Sequence, residues 1–149
     1  VRPNLQFSIP CDDVGRTGDG KLVIYGVFEG IVSQTFPAVH RSCYVANRWT
    51  GGTGTFREHV RILAADGRSV VMDGPETQFK LPNRSSVHTV VCRLEGLTFE
   101  RPGVYWVQVW LDDQVVCEYA INVQAREQGE QAPGASGGKA SSARLPVQD

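Results

Sequence analysis

The chain holds 149 residues, with 15 Lys plus Arg against 16 Asp plus Glu, 41% hydrophobic residues, 9% aromatic ones and 4 Cys, the make-up of one ordinary globular domain. A net charge of -1 excludes binding to nucleic acid or anionic membrane through overall charge, and no apolar run reaches the roughly 18 to 20 residues that cross a bilayer. The opening Val1-Arg2-Pro3-Asn4 has no apolar signal stretch, so the expected setting is soluble and cytoplasmic, with no membrane partner and nucleic acid disfavoured.

Leu5, Phe7, Ile9 and Cys11 are separated by Gln6, Ser8 and Pro10, the period-two spacing of a strand with one buried face. Pro10 has no N–H to donate and places the end of that strand at an edge or a bulge. After a turn-rich stretch at 12–20, residues 21–28 are β-branched and aromatic on both faces and read as an interior strand. A less regular stretch from Gly30 to Pro37 leads to residues 42–49, the loop Gly51-Gly52-Thr53-Gly54 and residues 55–63, which together predict the clearest hairpin of the chain. Asp66-Gly67 marks a tight turn into residues 70–72, and Pro75 and Pro82 bracket a short run at 78–81. Residues 87–94 read as another strand. Pro102-Gly103 starts a strand over 104–111, which turns at Asp112-Asp113-Gln114 into 115–123, a second hairpin.

Of the 25 residues 125–149, 17 are Ala, Gly, Ser, Gln or Pro and none is aromatic, which predicts a disordered, low-complexity tail behind a domain at 3–124. About eight short strands with no helix-length period predict an all-β fold, an antiparallel β-sandwich. Phe99, Pro102-Gly103 and Tyr105 ahead of a long strand resemble the late strands of immunoglobulin-like sandwiches, which implies a fold and no chemistry.

Pro3-Asn4-Leu5 with Cys11-Asp12-Asp13-Val14, then Gly20-Lys21-Leu22 leading to Gly26-Val27-Phe28, and Arg48-Trp49-Thr50-Gly51-Gly52 leading to Val60-Arg61-Ile62, resemble a bacterial family of small all-β proteins of unknown function. The likeness spans residues 3 to about 123 and implies a compact β domain, with no activity and no catalytic residue to carry over.

Gly15-Arg16-Thr17-Gly18-Asp19-Gly20-Lys21 fits the phosphate-loop pattern, but Leu22 stands where Ser or Thr would hold magnesium, and strand residues follow where a helix must start. Asp12, Asp13 and Asp19 are the nearest thing to a calcium-binding loop, although Asp is also what turns prefer and no single loop supplies six to eight oxygens. Cys11, Cys43, Cys92 and Cys117 form no Cys-x-x-Cys pair, which speaks against zinc. Each has an apolar strand phase and reads as a buried free thiol, with a Cys43–Cys92 disulfide between the sheets as the alternative in an oxidising compartment. His40, His59 and His88 lie in no nucleophile motif.

If Gly51–Gly54 closes a hairpin, Trp49 faces Phe56, Asn47 faces Glu58 and Arg48 faces Arg57. One face is then apolar apart from Asn47 and Glu58, which must find partners if they are buried. The other gathers Tyr44, Arg48, Arg57, His59 and Arg61, a candidate surface for an acidic or phosphate-bearing partner, the bland alternative being a solvated sheet face whose charge blocks aggregation. Trp106 and Trp110 share a strand face with Gln108, suited to core packing, or to a carbohydrate or partner domain. The expectation is a noncatalytic binding or assembly module with an unknown protein partner and no cofactor. Two alternatives stand beside it: a metal-dependent or hydrolytic enzyme using the loop carboxylates and a histidine, and a structural subunit whose strand edges pair in a larger assembly.

Overall fold

The computed structural model describes residues 1–127, and every regular element in them is a strand. In chain order these are β1 (Asn4–Arg16), β2 (Leu22–Val27), β3 (Gly30–Ser33), β4 (Ala38–Thr50), β5 (Gly54–Leu63), β6 (Val70–Asp73), β7 (Thr77–Leu81), β8 (Val87–Phe99), β9 (Gly103–Leu111) and β10 (Gln114–Ala125). One sheet has the order β2-β1-β4-β8, the other β3-β10-β9-β5-β6, with β7 also paired to β5. All pairings are antiparallel except β3 with β10. The all-β sandwich expected from the sequence is therefore present, with ten strands where about eight were read. β3 is one that the sequence hid, because four residues opening on Gly30 are too few to display a period.

Period-two burial builds the core. Along β9, Tyr105, Val107, Val109 and Leu111 point inward, and the same phase on β5 buries Phe56, Glu58, Val60 and Ile62. These meet Cys43, Val45, Asn47 and Trp49 of β4 and Val90, Cys92 and Leu94 of β8 from the opposite sheet. One end of the core is aromatic, with Trp49 stacked on Phe79 at 5.8 Å and Phe56 5.7 Å from Phe79.

Two expectations are corrected. The segments on either side of Gly51–Gly54 do not form a hairpin: β4 pairs with β1 and β8, whereas β5 pairs with β9, β6 and β7 in the other sheet. The connection is an arch that swings the chain from one sheet to the other. It lays two apolar strand faces against each other, where a hairpin would set them side by side and leave both to find another cover. Gly51 and Gly54 take φ of 82° and 123°, and Gly52 lies so close to Val1 and Pro3 that a Cβ there would sit 2.6 Å from backbone atoms of each. β2, read as interior because both faces are apolar, is instead the edge strand beyond β1.

The phosphate-loop look-alike is the tip of the β1–β2 hairpin. Gly20 N–H donates to Thr17 O and Lys21 N–H to the Thr17 hydroxyl, each at 2.9 Å, and strand follows directly. Cys43 and Cys92 sit on adjacent strands of one sheet, Cys43 opposite Leu94 and Cys92 opposite Val45, so they cannot link the two sheets, and all four cysteines are free thiols. β10 runs to Ala125, and Arg126 N–H still donates to Ser33 O at 2.9 Å. From residue 128 the tail expected at 125–149 lies outside the described residues.

Candidate binding face

The five side chains expected to share one surface are divided between the two sheets. Tyr44 and Arg48 lie on β4 and Arg57, His59 and Arg61 on β5, so the single basic face inferred from a β4–β5 hairpin does not exist. Arg48 and Arg57 are therefore not opposed, since β4 and β5 belong to different sheets. Tyr44 has Arg93 of β8 5.9 Å from its ring centroid, and Arg48 keeps a buried Nε without a hydrogen-bond partner among the described residues.

The β5 side chains belong to a connected cluster on the outer face of the larger sheet. Register sets Asp73 of β6, Arg61 of β5, Gln108 of β9 and Glu118 of β10 in one row across four strands. Asp73 takes Arg61 on both oxygens, at 3.3 and 3.0 Å, and lies 3.5 Å from His59 Nε2. His59 stacks on Trp110 at 5.4 Å with 17° between the planes, and the Arg61 guanidinium lies 4.8 Å from the same indole. Trp110 Nε1 donates to Gln108 Oε1 at 3.1 Å, and Gln108 Nε2 donates to Glu118 Oε2 at 2.8 Å. Arg57 is bracketed by Glu76 at 3.6 Å, Asp113 at 3.4 Å and Asp112 at 3.9 Å. Arg57, His59 and Arg61 thus each have a carboxylate beside them, and this part of the face is mixed in sign rather than basic.

Sequence reasoning placed Trp106, Gln108 and Trp110 on one strand face but missed that β9 runs beside β5. It also missed Asp73, Glu76 and Glu118 as partners. Asp73 and Glu118 reach the cluster through the β5–β6 and β9–β10 hairpins, and the long-range pairing of β9 with β5, for which neighbouring residues carry no signal, brings the two hairpins together.

Of the residues named for the alternative enzyme site, Asp12 meets a histidine, whereas Asp13 and Asp19 are engaged within their own hairpin. Asp12 lies 3.3 Å from His40, Asp13 takes the N–H of Val14 at 2.8 Å, and Asp19 closes its own turn against Thr17 and Lys21. Among the described residues no three His, Cys, Asp or Glu side chains come together as metal ligands. His88 stacks on Phe79 at 5.3 Å. Burial pushes the Cys43 and Cys92 thiols up to about 12, away from the thiolate that a nucleophile requires. Among the described residues no helix is long and apolar enough to cross a membrane.

The inward phase carries the one buried carboxylate. Glu58 is fully buried with Asn47, Trp49 Nε1 donates to its Oε1 at 2.8 Å, and burial, opposed by the Trp49 indole and then by the Asn47 amide, pushes it up to about 7. Asn47 lies near enough to favour the charge on Glu58, but no hydrogen bond of good geometry joins them: Glu58 Oε2 and both amide atoms of Asn47 lack partners among the described residues.

A model described as a family of unknown function (DUF6941) matches residues 6–124. No curated protein matches. Among solved structures, a β-glucosidase from Listeria innocua in complex with isofagomine is similar with a TM-score of 0.50 and 12% identity, over 85% of this chain and 16% of that one. The sensor domain of the anti-sigma factor RsgI4 of Pseudobacteroides cellulosolvens has a TM-score of 0.39 and 8% identity, over 85% of this chain and 99% of that one. At these identities the likeness concerns the fold alone.

Proposed function

The chain belongs to the DUF6941 family of unknown function, and from that premise we propose that it is a noncatalytic binding or assembly module whose partner docks on the outer face of the larger sheet. One observation carries this reading: Asp73, His59, Arg61, Trp110, Gln108 and Glu118, drawn from four strands, are bonded or stacked to one another on an outward face where the core does not need them. A face held in place before contact loses little side-chain freedom on binding. Its paired charges favour a protein surface carrying both signs over a phosphate or polyanion, which would have to displace Asp73 or Glu76.

An immunoglobulin-like topology and a cytoplasmic, bacterial setting form part of the same proposal. The first is supported by the Tyr105 hydroxyl donating back to Arg101 O at 2.6 Å, the corner found before a late strand of such sandwiches. Of the second, the cytoplasmic part is supported by Cys11, Cys43 and Cys92 lying in the core as thiols.

The test is capture from cells of the source organism on immobilised full-length chain and on the Arg61→Ala/Trp110→Ala variant. A protein retained by the first and lost from the second supports the reading, and equal retention on both overturns it.

A further inference from the structure

Beyond Cys11, β1 has left the β4 ladder and pairs with β2 alone; Asp12 still accepts from the Ser42 hydroxyl of β4 at 3.1 Å, and from Asp13 to Tyr25 the chain stands out from the sandwich as a two-stranded arm. Two strands are marginal by themselves in water. The free edge of this arm, Leu22-Val23-Ile24-Tyr25-Gly26-Val27, has no charge and no proline, and Tyr25 and Val27 are 53% and 60% exposed. The other sheet edges are guarded. β3 and β6 have four residues each, β7 has five with the exposed Lys80 among them, and β8 carries the exposed pair Arg93–Glu95. An unguarded edge of high strand propensity templates a further strand.

We propose that this edge joins two copies of the chain, β2 against β2 of the second copy, antiparallel about a two-fold axis at Tyr25. The sequence is self-complementary in that register. Tyr25 faces Tyr25, Val23 faces Val27, and Ile24 faces Gly26, where no side chain opposes it. At each end Lys21 meets Glu29 of the second copy. Glu29 has no ion-pair partner among the described residues, and Lys21 has only Asp19 of the exposed turn at 3.4 Å. The Tyr25 ring folds back over Gly15, whose Cβ, if present, would lie 3.3 Å from it, and so leaves the backbone edge open. The contact is small, so the dimer is concentration-dependent rather than obligate. β2 is no part of the Trp110 face, and the proposal stands apart from the one above.

The test is light scattering of the full chain after size exclusion over a rising concentration series. The mass should climb from one chain toward two. Tyr25→Lys, which sets two ammonium groups against each other on the axis, should hold it at one. Lys21→Glu should weaken association, and Lys21→Glu with Glu29→Lys should restore it, whatever Tyr25→Lys does to folding. A mass of one chain throughout overturns the proposal. So does a dimer that tolerates Tyr25→Lys, which would place the contact elsewhere, or a double charge reversal that rescues nothing.

Discussion

The indole Nε1 of Trp49 donates to Oε1 of Glu58 at 2.8 Å between two strands that share no backbone ladder, so a buried polar bond ties one sheet to the other. The second carboxylate oxygen is left without a partner among the described residues. The ionised form is therefore costly. Burial raises the group from 4.5 to about 7 in the folded chain. An acid raised on folding stabilises fully below its unfolded value, and that contribution is lost as pH rises through the folded value. Between pH 5 and pH 8 this costs about 3 kcal/mol. Urea unfolding across that range should show falling stability, and Glu58→Gln, which keeps an acceptor for the indole and removes the charge, should flatten the curve. A wild-type curve that is level or rises over this range contradicts the assignment.

Trp49→Phe tests the same bond from the other side. It removes the indole hydrogen bond to Glu58 Oε1 and some ring volume, so a loss of about 3 kcal/mol is expected at pH 7. In combination with Glu58→Ala, which removes the acceptor, the two losses should not add, because both act through one contact. Strict additivity in denaturant midpoints would mean that the indole and the carboxyl do not communicate.

How much of this was legible follows from the range of each signal. Alternation is a local property, and it placed Asn47 and Glu58 in the interior correctly, along with the β9–β10 hairpin whose Asp112 and Asp113 take φ of 47° and 69° in the turn. Which strands become neighbours is a global property. Residues 43–49 and 55–63 have the same apolar phase whether they pair side by side or stack face to face, so the sequence could not separate a hairpin from an arch. The Arg48–Arg57 opposition fell with that choice. The Asp73–Arg61–Gln108–Glu118 row is half legible: Arg61–Asp73 and Gln108–Glu118 lie within the hairpins turned at Asp66-Gly67 and Asp112-Asp113, but the pairing that joins them, Arg61 beside Gln108, spans 47 positions and leaves no local signal.

The mixed charge of the outer face leads to a prediction that separates its two readings. Asp73→Ala frees Arg61 and His59, so affinity for a polyanion such as heparin should rise in the variant, while wild type binds weakly. Stability should change by no more than about 1 kcal/mol, because the pairs are exposed to solvent. Salt-dependent retention on a heparin column is the measurement. Strong wild-type binding that Asp73→Ala leaves unaltered would restore the anion-binding face read from the sequence.

The arch between β4 and β5 makes the last prediction, because its geometry depends on one missing side chain. Gly52 is buried beneath the N-terminus: a Cβ would lie 2.6 Å from Pro3 N and Val1 O and 2.7 Å from Pro3 Cα. Nearby, Thr53 N–H donates to Val1 O at 2.9 Å and fastens the opening segment to the arch. Backbone cannot swing aside as a side-chain tip can, so Gly52→Ala should push residues 1–3 off and break that bond. A loss of about 1 to 3 kcal/mol is expected, the range of an overpacked interior site. Gly18→Ala provides the control, since nothing lies within 4 Å of its Cβ position and its φ is not left-handed. Hydrogen exchange at the Thr53 amide reads the effect directly. Fast exchange in Gly52→Ala with slow exchange in Gly18→Ala is expected, and equal protection in both would mean that the N-terminal segment does not pack on the arch.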